Sequence, residues 1–192
     1  MKNAIKSYRD SFRDLYDQVS VTDSKGISIA FDDALMMVIH AVYKKAKSGG
    51  RIFFIGNGGS ASIASHVVTD FIRSVKIPAI AFNDASLLTC LSNDLGYEHV
   101  FENPVGLFMT SRDVLFAISS SGQSKNILRG VSAARKSKGL IITFSGFKNN
   151  NPLRKLGGFN FYVPSSQYGH VEILHLAICH LIADMMVKVK NG

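Results

Sequence analysis

Twice in this chain an apolar run of strand length ends in a turn of small residues that opens a helix. Ile52-Phe53-Phe54-Ile55 leads into Gly56-Asn57-Gly58-Gly59-Ser60, and Val114-Leu115-Phe116-Ala117-Ile118 leads into Ser119-Ser120-Ser121-Gly122-Gln123-Ser124. An unbroken apolar run reads as a buried strand. A small, hydroxyl-rich turn between such a strand and a helix aims free backbone N–H groups and a helix dipole at an anion. Ligands of open parallel sheets collect at the carboxyl ends of the strands. Two such loops in one domain therefore predict a phosphorylated small molecule as ligand.

The rest of the chain supplies the layers around these strands. Ile5, Tyr8, Phe12, Leu15 and Tyr16 recur at helical spacing within 1–20, and a second helix is expected over 30–48, stopped by Gly49-Gly50. Strands are predicted at 51–55, 78–82, 113–118, 140–144 and 160–163. Helices are predicted at 60–73, 84–92, 98–108, 123–136 and 170–189, and 145–158 reads as a surface loop. Strands alternating with helices imply an α/β domain with a five-stranded, mainly parallel sheet and helices on both faces. With no linker or repeat, residues 1–192 form one domain.

Hydrophobic residues make up 46% of the sequence, which excludes a disordered chain. The formal charge of +8 comes from scattered basic residues without a dedicated nucleic-acid motif, so no nucleic-acid partner is expected. Cys90 and Cys179 read as buried free thiols, and the N-terminus lacks the apolar stretch of a signal peptide, so the expected compartment is the cytoplasm. The apolar segment 173–187, interrupted by His175, His180 and Asp184, is too short and too polar to be expected to span a bilayer.

The chemistry-bearing side chains fall on two helices. His66 and Asp70, four apart, share one face of the helix after the first loop. Glu172 and His180 on the last helix differ by about 80° around the axis, so both can reach one cleft. His175 points more nearly away and reads as a packing or interface residue, while His40, His99 and His170 have no partner pattern. Two histidines and two carboxylates suit a divalent metal such as zinc, or acid–base work. Spacing alone does not choose between these, nor does it bring the two helices together. The first loop also fits G-x-G-x-x-A, a weak dinucleotide fingerprint whose acidic partner would be Asp84. A cofactor site of that kind gives no reason for the second, serine-rich loop.

Taken in order, Gly56 to Ser60, His66, Ser92-Asn93-Asp94, Ser119 to Ser124 and Glu172 to His180 resemble the sugar isomerase (SIS) domain, and within it the phosphoheptose isomerase family. The resemblance covers nearly the whole chain. It implies a flavodoxin-like fold and a homotetramer, with residues 1–48 taking part in assembly. It implies interconversion of sedoheptulose 7-phosphate and D-glycero-D-manno-heptose 7-phosphate, which feeds heptose into lipopolysaccharide or capsule. It implies a zinc ion held by His66, Asp70, Glu172 and His180, with Asp70 and His180 also catalytic. It implies substrate contacts from Asn57, Gly58, Gly59, Ser60, His66, Asn93, Asp94, Ser119, Ser120, Ser121, Ser124 and Glu172. Asp70 stands where the family usually has glutamate and Glu172 where it usually has glutamine. Ile72-Arg73-Ser74 replaces a Gly-Arg-Tyr commonly found there. A non-catalytic relative that binds sugar phosphate or a replication initiator is the alternative. The presence of His180 favours the enzyme.

Overall fold

The computed structural model describes residues 1–191. The chain runs α1 (Lys2–Leu15), β1 (Ser20–Asp23), β2 (Ser28–Ile29), α2 (Phe31–Lys47), β3 (Ile52–Ile55), α3 (Gly59–Asp70), β4 (Ala79–Ala81), α4 (Ala85–Leu95), α5 (Glu102–Phe108), β5 (Val114–Ser119), α6 (Lys125–Lys136), β6 (Leu140–Ser145), β7 (Phe159–Tyr162) and α7 (Tyr168–Asn191). All helices and the five central strands fall where the sequence pattern puts them, with shifts at the ends. A π-helical turn, Phe71–Val75, follows α3, and a 3₁₀ turn, Tyr97–His99, precedes α5.

The sheet has seven strands, not five, in the order β2-β1-β7-β6-β5-β3-β4. β3 to β7 are parallel, and β1 pairs antiparallel with both β7 and β2. The extra hairpin escapes sequence reading because Ser20-Val21-Thr22-Asp23 is mostly polar and directly follows a helical pattern. Its turn is made by Asp23, whose Oδ1 accepts the amides of Lys25 and Ile27 at 2.8 Å each, and by Gly26 at φ +81°. Buried Asn160 on β7 joins the hairpin to the parallel sheet. Its Oδ1 accepts the Thr143 hydroxyl at 2.8 Å, and its Nδ2 donates to the Thr22 and Asp23 carbonyls.

Side chains of the central strands alternate between two cores. Ile52 and Phe54 of β3, and Val114, Phe116 and Ile118 of β5, pack on the face covered by α2, α3 and α7. Phe53, Ile55, Leu115 and Ala117 pack on the face covered by α5 and α6. Each fully buried side chain of this size contributes about 1.5–3 kcal/mol. At the opposite end from the two loops, buried Asp113 accepts the amides of Arg51 and Thr110, both at 2.7 Å, and the Thr110 hydroxyl at 2.8 Å. Burial pushes its carboxyl pKa up. These bonds, with the Arg51 guanidinium, outweigh that and hold it below the usual carboxylate range. The starts of β3 and β5 are thereby fixed side by side, and their carboxyl ends emerge as neighbours.

Three further expectations need correcting. Cys90 is exposed, because the face of α4 that carries it is not covered; Cys179 is buried, and burial pushes its thiol pKa up. The segment 145–158 is not merely a surface loop, since Asn151 and Leu153 are buried beneath the second loop. As built, α7 over Tyr168–Lys190 is long and apolar enough, by length and composition, to cross a membrane. Its packing explains that composition: Val171, Leu174, Ile178, Ile182 and Met186 are buried in the core of the sheet's first face.

Candidate active site

The parallel strands lie in the order β4-β3-β5-β6-β7, so successive connections leave in opposite directions from the β3–β5 boundary. Such a switch point opens a crevice at the carboxyl ends of the strands. The Gly56–Ser60 loop and the Ser119–Ser124 loop form its two walls. The cleft between them, about 320 Å³, is lined by Asn57, Gly58, Gly59, Ser60, Ser119, Ser120, Ser121, Ser124, Tyr168 and Glu172. That volume sits at the small end of ligand pockets, which span about 300–1,000 Å³.

The cleft is prepared for an anion. Gly58 precedes α3 and Ser124 precedes α6, and neither helix has a side-chain cap, although Asp84 caps α4 by accepting the Leu87 amide at 2.9 Å. Without a capping side chain, first-turn amides remain available to a ligand, although Ser60 and Ala61 N–H already donate to the Asn57 and Gly58 carbonyls and Ile127 N–H donates to Asn126 Oδ1. Asp84 Oδ1 is engaged as the α4 cap. Hydroxyls add to the donors. Ser120 Oγ is buried without a partner, and the hydroxyls of Ser119 and Ser124 lie 3.5 Å apart. Gly122, at φ +63°, packs so closely on buried Asn151 that a Cβ there would overlap the Asn151 amide. Asn151 in turn donates to Ser145 Oγ and to the Gly146 and Lys148 carbonyls, which holds the serine loop in shape.

α3 and α7 lie side by side, both with their amino ends at the cleft. Glu172 stands over Gly59, where any Cβ would overlap its carboxylate. Roughly two turns further along both helices, the rings of His66 and His180 are 5.1 Å apart between centroids. One ligand atom each from His66, Asp70 and His180 lie within 4.8 Å of one another. His180 Nδ1 is 3.1 Å from Asp70 Oδ2, yet the approach does not make a hydrogen bond, and that oxygen is buried without a partner. Two imidazoles and an unsatisfied carboxylate oxygen, converging without bonding one another, are a donor set suited to a divalent metal such as zinc. Three of the four expected metal ligands are thus together. Glu172 is not in that group and faces the cleft instead.

Asn93 and Asp94 lie outside the cleft. Asn93 lines a neighbouring hollow with Ser92 and Tyr97, and Asp94 accepts from Asn93 Nδ2 at 2.9 Å and meets Cys90 Sγ at 3.6 Å. His175 is fully buried and bonded to the Ser145 carbonyl at 3.2 Å; burial lowers its pKa to about 4, with the carbonyl bond acting in the opposite sense. Tyr168, Asn126, Tyr97 and Asn151 contribute to the site but carry no spacing signal in the sequence.

An SIS-domain family model matches residues 7–146, and the chain belongs to that family. Within it the chain belongs with the phosphoheptose isomerases. It is 32% identical to the phosphoheptose isomerase of Thermodesulfovibrio yellowstonii over 158 residues, 79% of this chain and 78% of the relative. It is likewise 32% identical to that of Helicobacter pylori over 162 residues, 81% and 84% of the two chains. A phosphoheptose isomerase structure from Francisella tularensis superposes with a TM-score of 0.83 at 25% identity, covering 97% of both chains. One from Neisseria gonorrhoeae gives 0.82 at 23% identity, covering 96% of this chain and 98% of the other.

Proposed function

We propose that the protein interconverts sedoheptulose 7-phosphate and D-glycero-D-manno-heptose 7-phosphate in the cytoplasm, supplying heptose for a surface glycan. The observation that carries this reading is the parallel pairing of α3 and α7, with an anion cradle at their amino ends and a His–Asp–His cluster two turns away. His66 follows Gly59 by seven residues, an axial distance of roughly 10 Å at 1.5 Å per residue. A fully extended chain of single bonds advances about 1.2 Å per bond, so the eight bonds from C1 to phosphorus of a heptose 7-phosphate cover roughly 10 Å. With the phosphate held in the cleft at the level of Gly59, that length is what the carbonyl end needs to approach the cluster.

Conversion of a ketose to an aldose takes a proton from C1 and returns one to C2 through an enediol. Asp70 is the proposed base, and His180 beside it handles the protons of the O1 and O2 oxygens. His66, Asp70 and His180 would hold a divalent metal, zinc being the proposed ion, which when bound supplies polarisation of the substrate carbonyl. Glu172, whose carboxylate lies over Gly59, is the proposed residue that orients sugar hydroxyls along the path between the two ends. The free thiols Cys90 and Cys179 fit a reducing compartment.

We also propose a homotetramer. α1 buries only Leu15 in this chain, and its Ile5 and Tyr8 are 53% and 48% exposed, as are Met36 and Met37 of α2 at 53% and 50%. Apolar residues left uncovered on two helices suit contacts between copies. Incubation of the pure protein with sedoheptulose 7-phosphate, with detection of heptose 7-phosphate, tests the activity. No conversion, combined with retained sugar-phosphate binding, would favour a non-catalytic binding protein.

A further inference from the structure

We infer that Asn126 and Tyr97 are positioning residues that lock the Asn57 carboxamide with one N–H turned toward the substrate cleft, an inference that rests on the proposed sugar-phosphate reading of that cleft. The orientation follows from one unambiguous donor. The Ile127 backbone N–H, in the first turn of α6, donates to Asn126 Oδ1 at 2.9 Å. This fixes which end of the Asn126 amide is oxygen. Asn126 Nδ2 must then donate to Asn57 Oδ1, at 2.8 Å, and Asn57 Nδ2 to Asn126 Oδ1, at 2.9 Å. The Tyr97 hydroxyl adds a second donor to Asn57 Oδ1 at 3.0 Å.

Both acceptor positions of Asn57 Oδ1 are thereby filled, and only one of its two N–H bonds is used. The other is left for an acceptor oxygen of the substrate, a sugar hydroxyl or a phosphate oxygen, in the cleft that Asn57 lines. Were the amide free to flip, it would present a carbonyl oxygen, which repels a phosphate oxygen and can only accept from a sugar hydroxyl. Asn126 is buried and does not line the cleft, and Tyr97 lines the neighbouring hollow. Both therefore act through Asn57. The pair also ties the loop after β3 to the helix after β5, so the two walls of the cleft are held as one unit.

The test is a double-mutant cycle read by binding of sedoheptulose 7-phosphate and by turnover. Tyr97 is half exposed, so Tyr97→Phe removes one donor without threatening the fold. We expect a rise in KM of about threefold with kcat and Tm unchanged. Asn126→Asp keeps its acceptor but cannot donate to Asn57, and we expect a loss of about tenfold or more in kcat/KM. In an Asn57→Ala background, Tyr97→Phe should change nothing further. Full additivity there, or wild-type KM for both single variants while the wild type converts substrate, would overturn the inference. A wild type that neither binds nor converts sedoheptulose 7-phosphate would overturn the functional reading and this inference with it.

Discussion

The cradle and the His66–Asp70–His180 cluster are built on the same two helices, yet they differ in almost every physical respect. The cradle is walled by two loops of the chain, and its donors are backbone amides, hydroxyls and helix ends fixed by buried supports such as Asn151 and Asn126. The cluster lies on helix flanks, with His66 exposed and Asp70 and His180 half-buried. In the proposed reaction the cradle supplies binding and the cluster supplies proton transfer. The difference teaches that affinity and turnover should separate cleanly along α3 and α7.

The largest effect is expected at the cluster. His180→Ala should remove metal and activity together, measured as metal content beside turnover. Asp70→Asn changes charge and not volume, so the fold should persist while kcat falls by about 10²-fold or more.

The stretch of α7 between the two regions supplies the next test. His175 is buried neutral, with a folded pKa of about 4 against about 6.5 unfolded, so between those values the unfolded chain binds more protons. Its contribution is fully present above pH 6.5 and is lost as pH falls toward 4, on the order of 3 kcal/mol. Thermal melts across that window should show the loss, and His175→Gln should flatten it.

Smaller effects belong to the cradle. Ser124→Ala should raise KM by an amount equivalent to about 1–2 kcal/mol, the scale of a hydrogen bond to a charged group, with kcat nearly unchanged. A fall in kcat instead would blur the division between grip and chemistry. Smallest in this assay, Ile5→Glu on α1 should shift the sedimentation of the protein toward smaller species, with turnover falling only as far as activity depends on assembly.

Much of this arrangement was legible in the sequence because its signals are local. Buried strands ending in glycine and serine turns fix the loops, and i,i+4 spacing fixes His66 beside Asp70. The meeting of α3 with α7 was not legible, since no periodicity reports which helices pack together. That pairing decides that His180 joins Asp70 and that Glu172 faces Gly59 instead. The β1–β2 hairpin and the exposure of Cys90 were missed for a related reason: a polar edge strand and an uncovered helix face carry no pattern of their own. Asn126 and Tyr97 were invisible because their roles exist only through contacts 69 and 40 residues away from Asn57.

The central claim is that one end of the α3–α7 pair holds the phosphate while the other moves the proton. Deuterium exchange in D₂O, run beside calorimetric binding of sedoheptulose 7-phosphate, tests it most directly. The wild type should incorporate deuterium at C1 of recovered ketose and C2 of the aldose. Asp70→Asn should bind the substrate within a few-fold of wild type and incorporate almost none. Exchange at the wild-type rate in Asp70→Asn, or loss of binding along with exchange, would contradict the account.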